Sequence, residues 1–247
     1  GNQGAKELKE LSHVRCLGQA TPNVDFERSC CPPCTTSSLE NQMTEETHPL
    51  QHEWVMWEHK ANTGSKDPEK WKENMKQLCA FKTVEDFWRY SSHLPRPSEV
   101  FFDGECRKKV ADDSSPEGKT VEEYSLFKKG IEPEWGDPKN VTGGEWFCRQ
   151  YLEAEVLDLY WQNLIMGCIS ETIEDAIDPD GTLESCINGA RVVDKSRQYP
   201  LYKLEIWLNT RDPAIKEKLK TKLMEVVTDG QPPSKRMQPK WDWKDHS

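Results

Sequence analysis

Alternation of apolar and polar residues predicts several β-strands in the middle and later parts of the chain. The segment 52–60, HEWVMWEHK, alternates loosely with a period of two: Trp54 and Met56 fall on one side, Val55 and Trp57 on the other. Such alternation is typical of a strand with one face towards a core. Similar short runs predict further strands at 75–81, 124–127, 145–151, 183–193 and 201–209.

Apolar residues at helical spacing predict three α-helices, over 83–93, 153–173 and 212–227. The first opens with Thr83, followed three residues later by Asp86, which is close to a capping box. Several strands interrupted by three helices favour an α+β fold. In such a fold the helices pack on one face of a mostly antiparallel sheet.

The remaining segments divide the chain into a folded domain and flanking regions. Residues 1–47 are predicted to form an N-terminal extension, 48–233 the folded domain and 234–247 a C-terminal tail. Within the domain, 98–123 has one short apolar run followed by polar turn residues, so we predict an inserted surface loop. The tail contains two tryptophans to which the pattern assigns no role, Trp241 and Trp243.

Charge and cysteine content restrict the classes of partner and compartment. The net charge of −10 argues against non-specific binding to long nucleic acid, which needs a broad basic surface. Residues 191–222 nevertheless hold nine basic and four acidic side chains, which allows a local anion site. Nine cysteines, with no apolar leader and no membrane-length apolar run, predict a cytoplasmic protein with reduced thiols.

The sequence contains one candidate metal site and no recognisable catalytic motif. In the extension, His13 and Cys16 followed by Cys31 and Cys34 have a spacing that could close a tetrahedral zinc site. The alternative is a flexible tail whose thiols are separated by prolines. Hydrolase, phosphate-loop and metalloprotease motifs are missing, so we predict neither an enzyme nor a bound cofactor.

Two tryptophans lie in segments that do not build a core. Trp135 is surrounded by Pro133, Gly136, Asp137 and Pro138, and a second tryptophan lies in the charged segment GSKDPEKWKENMK, as Trp71. Each could cap the core from outside or offer its ring to a planar ligand. Stacking on a base contributes ~1–3 kcal/mol, and a positively charged base adds ~0.5–2 kcal/mol per indole. Two indoles therefore favour a cationic purine, with phosphates meeting the basic residues at 195–203.

Residues 48 to about 233 resemble the eukaryotic translation initiation factor 4E family, whose members bind the mRNA cap. The resemblance depends on short motifs that follow one another in the order of the family: HPLQ at 48–51, TVEDFW at 83–88, YSLFKKGIEPEW at 124–135, KN at 139–140, GG at 143–144 and IW at 206–207. It implies a cupped antiparallel β-sheet with three helices packed on its convex face, which agrees with the prediction from the hydrophobic pattern.

The resemblance also implies how the base would be bound. Trp71 and Trp135 would sandwich the 7-methylguanine, and Trp207 would lie near its methyl group. The family has a glutamate directly after the second stacking tryptophan, which accepts hydrogen bonds from the guanine edge. This chain has Gly136 there. An unpaired guanine edge costs ~1–3 kcal/mol, so we expect a neighbouring carboxylate to take that role, with Asp137 as the first candidate and Glu134 as the alternative.

Cap phosphates would meet a basic cluster that begins between the fifth and sixth predicted strands. By position in the family, Lys195 and Lys203 would hold the phosphates. Arg197 is added from its charge alone. Glu145 stands where the family often has an arginine, which should weaken binding at that end.

A second family surface receives a helix from the scaffold factor 4G or from translational repressors. This chain matches it at several positions and departs from it in the long helix, where Gln162 follows Trp161 in place of the usual leucine. Because a helix-in-groove contact depends on a few apolar anchors, we expect a changed set of partners. The predicted partner-binding residues are His48, Pro49, Gln51, Val84, Trp88 and Gln162.

Three hypotheses about function follow. The first is a cap-binding protein that presents capped mRNA to a scaffold partner. The second is a family member with weak or no cap binding that acts as a protein-interaction module or translational competitor. The third is a general single-strand RNA binder, which would ignore the methyl group and lose affinity steeply with salt.

Overall fold

In the part of the chain that the structure describes, eight β-strands form a single sheet. The fold comes from a computed structural model that describes residues 47–61, 72–180, 184–231 and 239–246. The strands are β1 (Pro49–Lys60), β2 (Met75–Thr83), β3 (Lys109–Asp112), β4 (Ser115–Lys128), β5 (Gly144–Gln150), β6 (Ile187–Asp194), β7 (Tyr202–Leu208) and β8 (Trp241–Asp245).

Strand pairing follows the order β2-β1-β4-β6-β7-β5-β8, and β3 pairs with β4 outside this path. Every pair is antiparallel. The predicted α+β fold with a mostly antiparallel sheet is therefore confirmed. Antiparallel strands allow one face to pack on a core while the other stays available for polar residues and ligands.

Helices cover one face of the sheet. The described residues contain α1 (Val84–Ser91), α2 (Pro97–Val100), α3 (Ala154–Ile169) and α4 (Pro213–Val227), so one short helix is added to the three predicted. The extra helix, α2, has a proline at its first position, where a missing N–H costs nothing. The predicted cap of α1 is present, because the Thr83 hydroxyl accepts a hydrogen bond from the Asp86 amide at 3.1 Å.

Strand β7 shows how the two faces of the sheet differ. Leu204, Ile206 and Leu208 are buried in the main hydrophobic core under the helices. Side chains alternate along a strand, so Lys203, Glu205 and Trp207 point to the other face, called here the open face.

The segment 98–123 is not the surface loop that we predicted. It contains α2, β3 and the first part of β4, and Phe101 is fully buried. The Phe101 ring stacks on Tyr202 with centroids 6.2 Å apart. The prediction was wrong because β3 and the start of β4 form a polar hairpin, in which Asp112 pairs with Ser115, and such a hairpin has little apolar alternation.

The predicted tail, 234–247, also contributes to the fold. Strand β8 pairs with β5, Trp241 is buried, and the Trp243 ring packs against Trp146 at 5.3 Å. The folded domain therefore continues to His246. Five residues with two tryptophans are too short to be recognised as a strand from periodicity alone.

Several predictions fall on residues that the structure does not describe. These are the extension up to residue 46, with the zinc candidates His13, Cys16, Cys31 and Cys34, and the stacking candidate Trp71. In the described ranges, no group of three or more His, Cys, Asp or Glu side chains is placed to hold a metal ion. No described helix is long and apolar enough to cross a membrane.

Candidate functional site

Trp135 projects from the loop between β4 and β5 and keeps 43% of its surface exposed. The loop that carries it is closed by Asp137, whose carboxylate accepts hydrogen bonds from the amides of Glu132 (2.9 Å) and Lys139 (2.8 Å). Asp137 is itself buried. The exposed indole is thus presented by a loop with a defined backbone conformation.

Two asparagines complete the support of this loop. The fully buried Asn140 donates from Nδ2 to the carbonyl oxygens of Glu132 and Glu134, each at 2.9 Å. Asn188, the second residue of β6, donates to the Lys139 carbonyl and to the Asn140 side chain, both at 2.8 Å. Because the loop is bonded to itself and to the sheet, Trp135 needs little ordering when a ligand arrives.

An ion pair joins the Trp135 loop to the segment that follows Trp71. Lys72 Nζ lies 3.1 Å from both carboxylate oxygens of Glu134. Lys72 is the direct neighbour of Trp71, and Glu134 is the direct neighbour of Trp135. An exposed pair of this kind contributes only ~0.2–1 kcal/mol, but it places Lys72 beside the Trp135 loop.

The two predicted edge carboxylates have different partners. Both Asp137 oxygens are used to close the loop, whereas the Glu134 carboxylate is 26% exposed and bonded to a solvent-facing lysine. Gly136 between them has open space around the position that a Cβ would take. Glu134 is therefore the carboxylate that can be redirected towards a ligand at lower cost.

Trp207 lies on the open face and is fully buried in this structure. Phe127 meets it edge to face at 5.3 Å, and the His246 ring lies 4.3 Å away. The Arg191 guanidinium lies 5.2 Å from the Trp207 ring centroid, and the indole N–H donates to Glu205 at 2.8 Å.

A network of buried charges extends from Trp207 along the open face. Arg191 pairs with Glu123 and lies 3.5 Å from Glu205. Lys203 Nζ lies 2.6 Å from Glu205 and 2.8 Å from Glu145. Three carboxylates and two cations give these five residues a net charge of −1, which is compatible with a positively charged ligand nearby.

The charges of this network stabilise one another. Burial by itself lowers the pKa of Arg191, but the carboxylates of Glu123 and Glu205 raise it above its ordinary value. Burial raises the pKa of Glu145, but hydrogen bonds from His246 and Lys203 outweigh that effect and lower it to about 2. Both groups therefore remain charged at neutral pH.

The predicted phosphate-binding residues lie at the far end of β6 and β7. Lys195 and Arg197 are exposed in the turn between these strands. Partial desolvation and the nearby Arg191 charge lower the pKa of Lys195. Lys203 is only 17% exposed and is already paired with two carboxylates. Four residues of β7, about 13 Å, separate Lys203 from Trp207, so base and phosphate groups would extend along the strand.

Sequence analysis missed Arg191, Glu205, Glu123 and His246 as members of this site. One signal for the open face was present in the sequence. Every second position of β7 is charged or aromatic and alternates with aliphatic residues, at Lys203, Glu205 and Trp207. Strand register determines which charged side chains meet across neighbouring strands, and register cannot be read from a single sequence.

The predicted partner-binding residues surround α1 on the helix side. His48 Nδ1 lies 2.7 Å from the Glu85 carboxylate, and the His48 carbonyl accepts from the Val84 amide at 2.9 Å. This fixes Pro49 and the exposed Gln51 beside the start of the helix.

Trp88 and Gln162 both line a cleft between α1, α2, α3 and β2, with a volume of about 560 Å³. Trp88 is partly buried and Gln162 is exposed. The Gln162 amide lies 3.8 Å from the Met166 sulfur, a weak contact.

Comparison with known proteins assigns the fold to one family. The family model for eukaryotic initiation factor 4E matches residues 49–247. Translation initiation factor 4E-2 of Schizosaccharomyces pombe is 32% identical over 182 residues, 73% of this chain and 62% of that protein. Initiation factor NCBP of Triticum aestivum is 30% identical over 73% of this chain and 68% of its own length. The chain thus spans roughly two thirds of these relatives.

Solved structures give the same assignment. Caenorhabditis elegans eIF4E-3 in complex with the 4E-binding protein Mextli has a TM-score of 0.59 and 26% identity, covering 81% of this chain and 94% of that one. Ascaris suum eIF4E-3 with an m7G cap has a TM-score of 0.59 and 27% identity, covering 82% and 93%. The matched family model spans the whole sheet, from β1 to β8, and so the chain belongs to the eukaryotic initiation factor 4E family.

Proposed function

We propose that this protein binds the 7-methylguanosine cap of mRNA and links capped mRNA to a translation initiation scaffold. The observation that carries the proposal is the exposed Trp135 ring on a loop that Asp137 and Asn140 hold rigid. The ion pair between Lys72 and Glu134 supports a second indole, Trp71, close to the first. The Ascaris neighbour, solved with an m7G cap, is consistent with this function.

The base would be recognised by stacking between Trp71 and Trp135. Stacking contributes ~1–3 kcal/mol for any base, and the cation–π term of ~0.5–2 kcal/mol per indole applies to the methylated base alone. The net negative charge around Trp207 acts in the same direction. We assign the guanine edge to Glu134, since Asp137 is occupied by the loop backbone.

Phosphate groups would be bound mainly by Lys195 and Arg197. Both are exposed, and neither pairs with a carboxylate within the described part of the chain. Lys203 would contribute only after weakening its contacts with Glu145 and Glu205.

The test of this proposal is a tryptophan fluorescence titration with 7-methyl-GTP and with GTP at one fixed salt concentration. Cap binding predicts that 7-methyl-GTP binds more tightly than GTP, since the cation–π term of ~0.5–2 kcal/mol per indole acts on the charged base alone. Equal and weak binding of both nucleotides would exclude cap recognition. If the affinities for both nucleotides fall steeply as the salt concentration rises, a general RNA binder is favoured.

A partner helix would dock on the surface around Trp88 and Gln162. The Caenorhabditis neighbour is a complex with the 4E-binding protein Mextli, and a schistosome neighbour is complexed with m7GpppA and 4E-BP. For this chain we propose a scaffold of the 4G type or a 4E-binding repressor as partner, with its apolar anchors near Trp88.

Replacing Trp88 with alanine should weaken binding of a 4E-binding helical peptide by roughly 30-fold or more, because interface tryptophans are typical hot spots worth about 2 kcal/mol or more. Isothermal titration with such a peptide measures the loss. Tyr151 is exposed, packs on Tyr199 and does not line this cleft, so Tyr151→Ala is the control. If the unaltered protein, Trp88→Ala and Tyr151→Ala bind the peptide equally well, the partner does not dock at Trp88.

The second candidate is an interaction module with weak cap affinity. Gly136 and the occupied carboxylate of Asp137 favour it, because they remove the usual guanine-edge acceptor. In that case the 4E-binding peptide would bind normally, while 7-methyl-GTP would not quench the tryptophan fluorescence. We assign no catalytic role to the site, and we propose a cytoplasmic location for either function.

A further inference from the structure

Strand β8 brings Lys244 to the proposed base site. Lys244 lies opposite Glu145 in the antiparallel pairing of β8 with β5. Opposed residues of an antiparallel pair share a face of the sheet, which here is the open face. Lys244 Nζ lies 3.6 Å from the centroid of the Trp135 ring.

The ring of Trp135 is the main partner of this ammonium group. Within the described ranges, Lys244 forms no ion pair with a carboxylate. The carboxylate opposite, Glu145, is already bonded to Lys203 at 2.8 Å and lies 3.4 Å from His246. The positive charge of Lys244 therefore acts on the indole and on whatever stacks there.

His246 holds this end of β8 in place. Its amide donates to the Gly143 carbonyl at 3.0 Å, and its ring nitrogen Nδ1 lies 3.0 Å from the Asn140 carbonyl oxygen. The buried imidazole also lies nearly parallel to Trp135, with centroids 6.3 Å apart. These contacts tie β8 to the loop that presents the stacking ring, so Lys244 is not a freely moving surface lysine.

We propose that Lys244 is a specificity-determining residue that lowers the preference of the site for the positively charged 7-methylated base over the neutral base. The inference rests on the proposed cap-binding function and concerns the same indole, Trp135. An ammonium on the ring uses the π-electron density that would stabilise a second cation, and it repels that cation by Coulomb's law. Neither effect acts on neutral guanine with comparable strength.

Lys244 should affect selectivity whichever face of Trp135 receives the base. If the Lys244 ammonium group and the methylated base need the same face of the ring, the base must displace Lys244. If the base takes the other face, the two charges remain within one stacked layer, where screening by solvent is incomplete. Either arrangement is expected to change the ratio of the two dissociation constants by about two- to tenfold.

The test compares Lys244→Met and Lys244→Arg with the unaltered protein in titrations with 7-methyl-GTP and GTP. Methionine keeps the unbranched chain without the charge, so the preference for the methylated nucleotide should rise about two- to tenfold. Arginine keeps the charge and should leave the preference unchanged. Lys244→Gln repeats the first comparison with a polar side chain.

Lys216 offers a matched control on the other face of the sheet. Its Nζ lies 4.2 Å from the Trp243 ring centroid, so Lys216→Met removes the same kind of contact away from the proposed site. This variant should leave the preference unchanged.

Three outcomes would overturn the inference. If Lys244→Met loses the same amount of affinity for 7-methyl-GTP and for GTP, Lys244 supports the indole or binds phosphate. An unchanged preference would mean that its charge is screened. If no variant binds either nucleotide, the proposed function itself fails and the inference fails with it, whereas the first two outcomes leave cap binding intact.

Discussion

Arg191→Met is expected to lower the free energy of unfolding by about 3–5 kcal/mol, the typical cost of removing one partner from a buried charge pair. The substitution leaves Glu123 and Glu205, both almost fully buried, without their shared cation. For a domain of this size, the loss corresponds to a decrease in Tm of roughly 6–20 °C. Thermal unfolding followed by circular dichroism measures it.

Two further variants separate the charge effect from the loss of side-chain packing. Arg149 is exposed on β5, and Arg149→Met should change stability by less than about 0.5 kcal/mol. Adding Glu123→Gln to Arg191→Met should recover part of the loss, because Glu123 is the carboxylate left without a cation, whereas Glu205 keeps Lys203 at 2.6 Å. A decrease no larger than that of the Arg149 variant would show that the network does not stabilise the fold.

Trp135→Ala is expected to abolish retention of the protein on immobilised 7-methyl-GTP. Loss of one stacking surface and its cation–π term removes about 1.5–5 kcal/mol, which is a decrease in affinity of roughly 10- to 5,000-fold. The ring is exposed, and the loop is held by Asp137 and Asn140, so the fold should be preserved. Retention on the resin and titration in solution both measure the loss.

Trp88→Ala is the natural control for this experiment, because Trp88 lies on the helix side of the sheet. It should bind the resin as the unaltered protein does, while Trp135→Ala should still bind a 4E-binding peptide. If the unaltered protein and Trp135→Ala elute alike, the stacking role of Trp135 is excluded.

The proposed stacking role and the proposed selectivity role make different demands on one indole. A rigid, exposed ring such as Trp135 increases affinity for any planar base, because little conformational freedom is lost on binding. A cation close to that ring reduces the additional affinity for a charged base. The structure contains both features, since the loop is closed by Asp137 and Lys244 lies 3.6 Å from the ring.

Local patterns in the sequence were sufficient for most of the fold. The three long helices and the strands β1, β2, β5, β6 and β7 follow from periodicity and capping, which depend on neighbours within a few residues. The exposure of Trp135 was predictable from the turn-forming residues around it, and the structure has the ring 43% exposed. Membership of the family followed from short motifs in a fixed order.

Only the tertiary structure decided how the open face is organised. Strand β8 gains its stability from pairing with β5, so its five residues had no strong signal of their own. The contacts of Arg191 with Glu123 and Glu205 join three different strands, and strand register places them together. The use of Asp137 as a loop closure and the position of Lys244 on Trp135 are likewise contacts between groups whose neighbourhood the folded backbone creates. Periodicity reports which face a residue occupies, but the partner it meets there depends on the order and register of the strands.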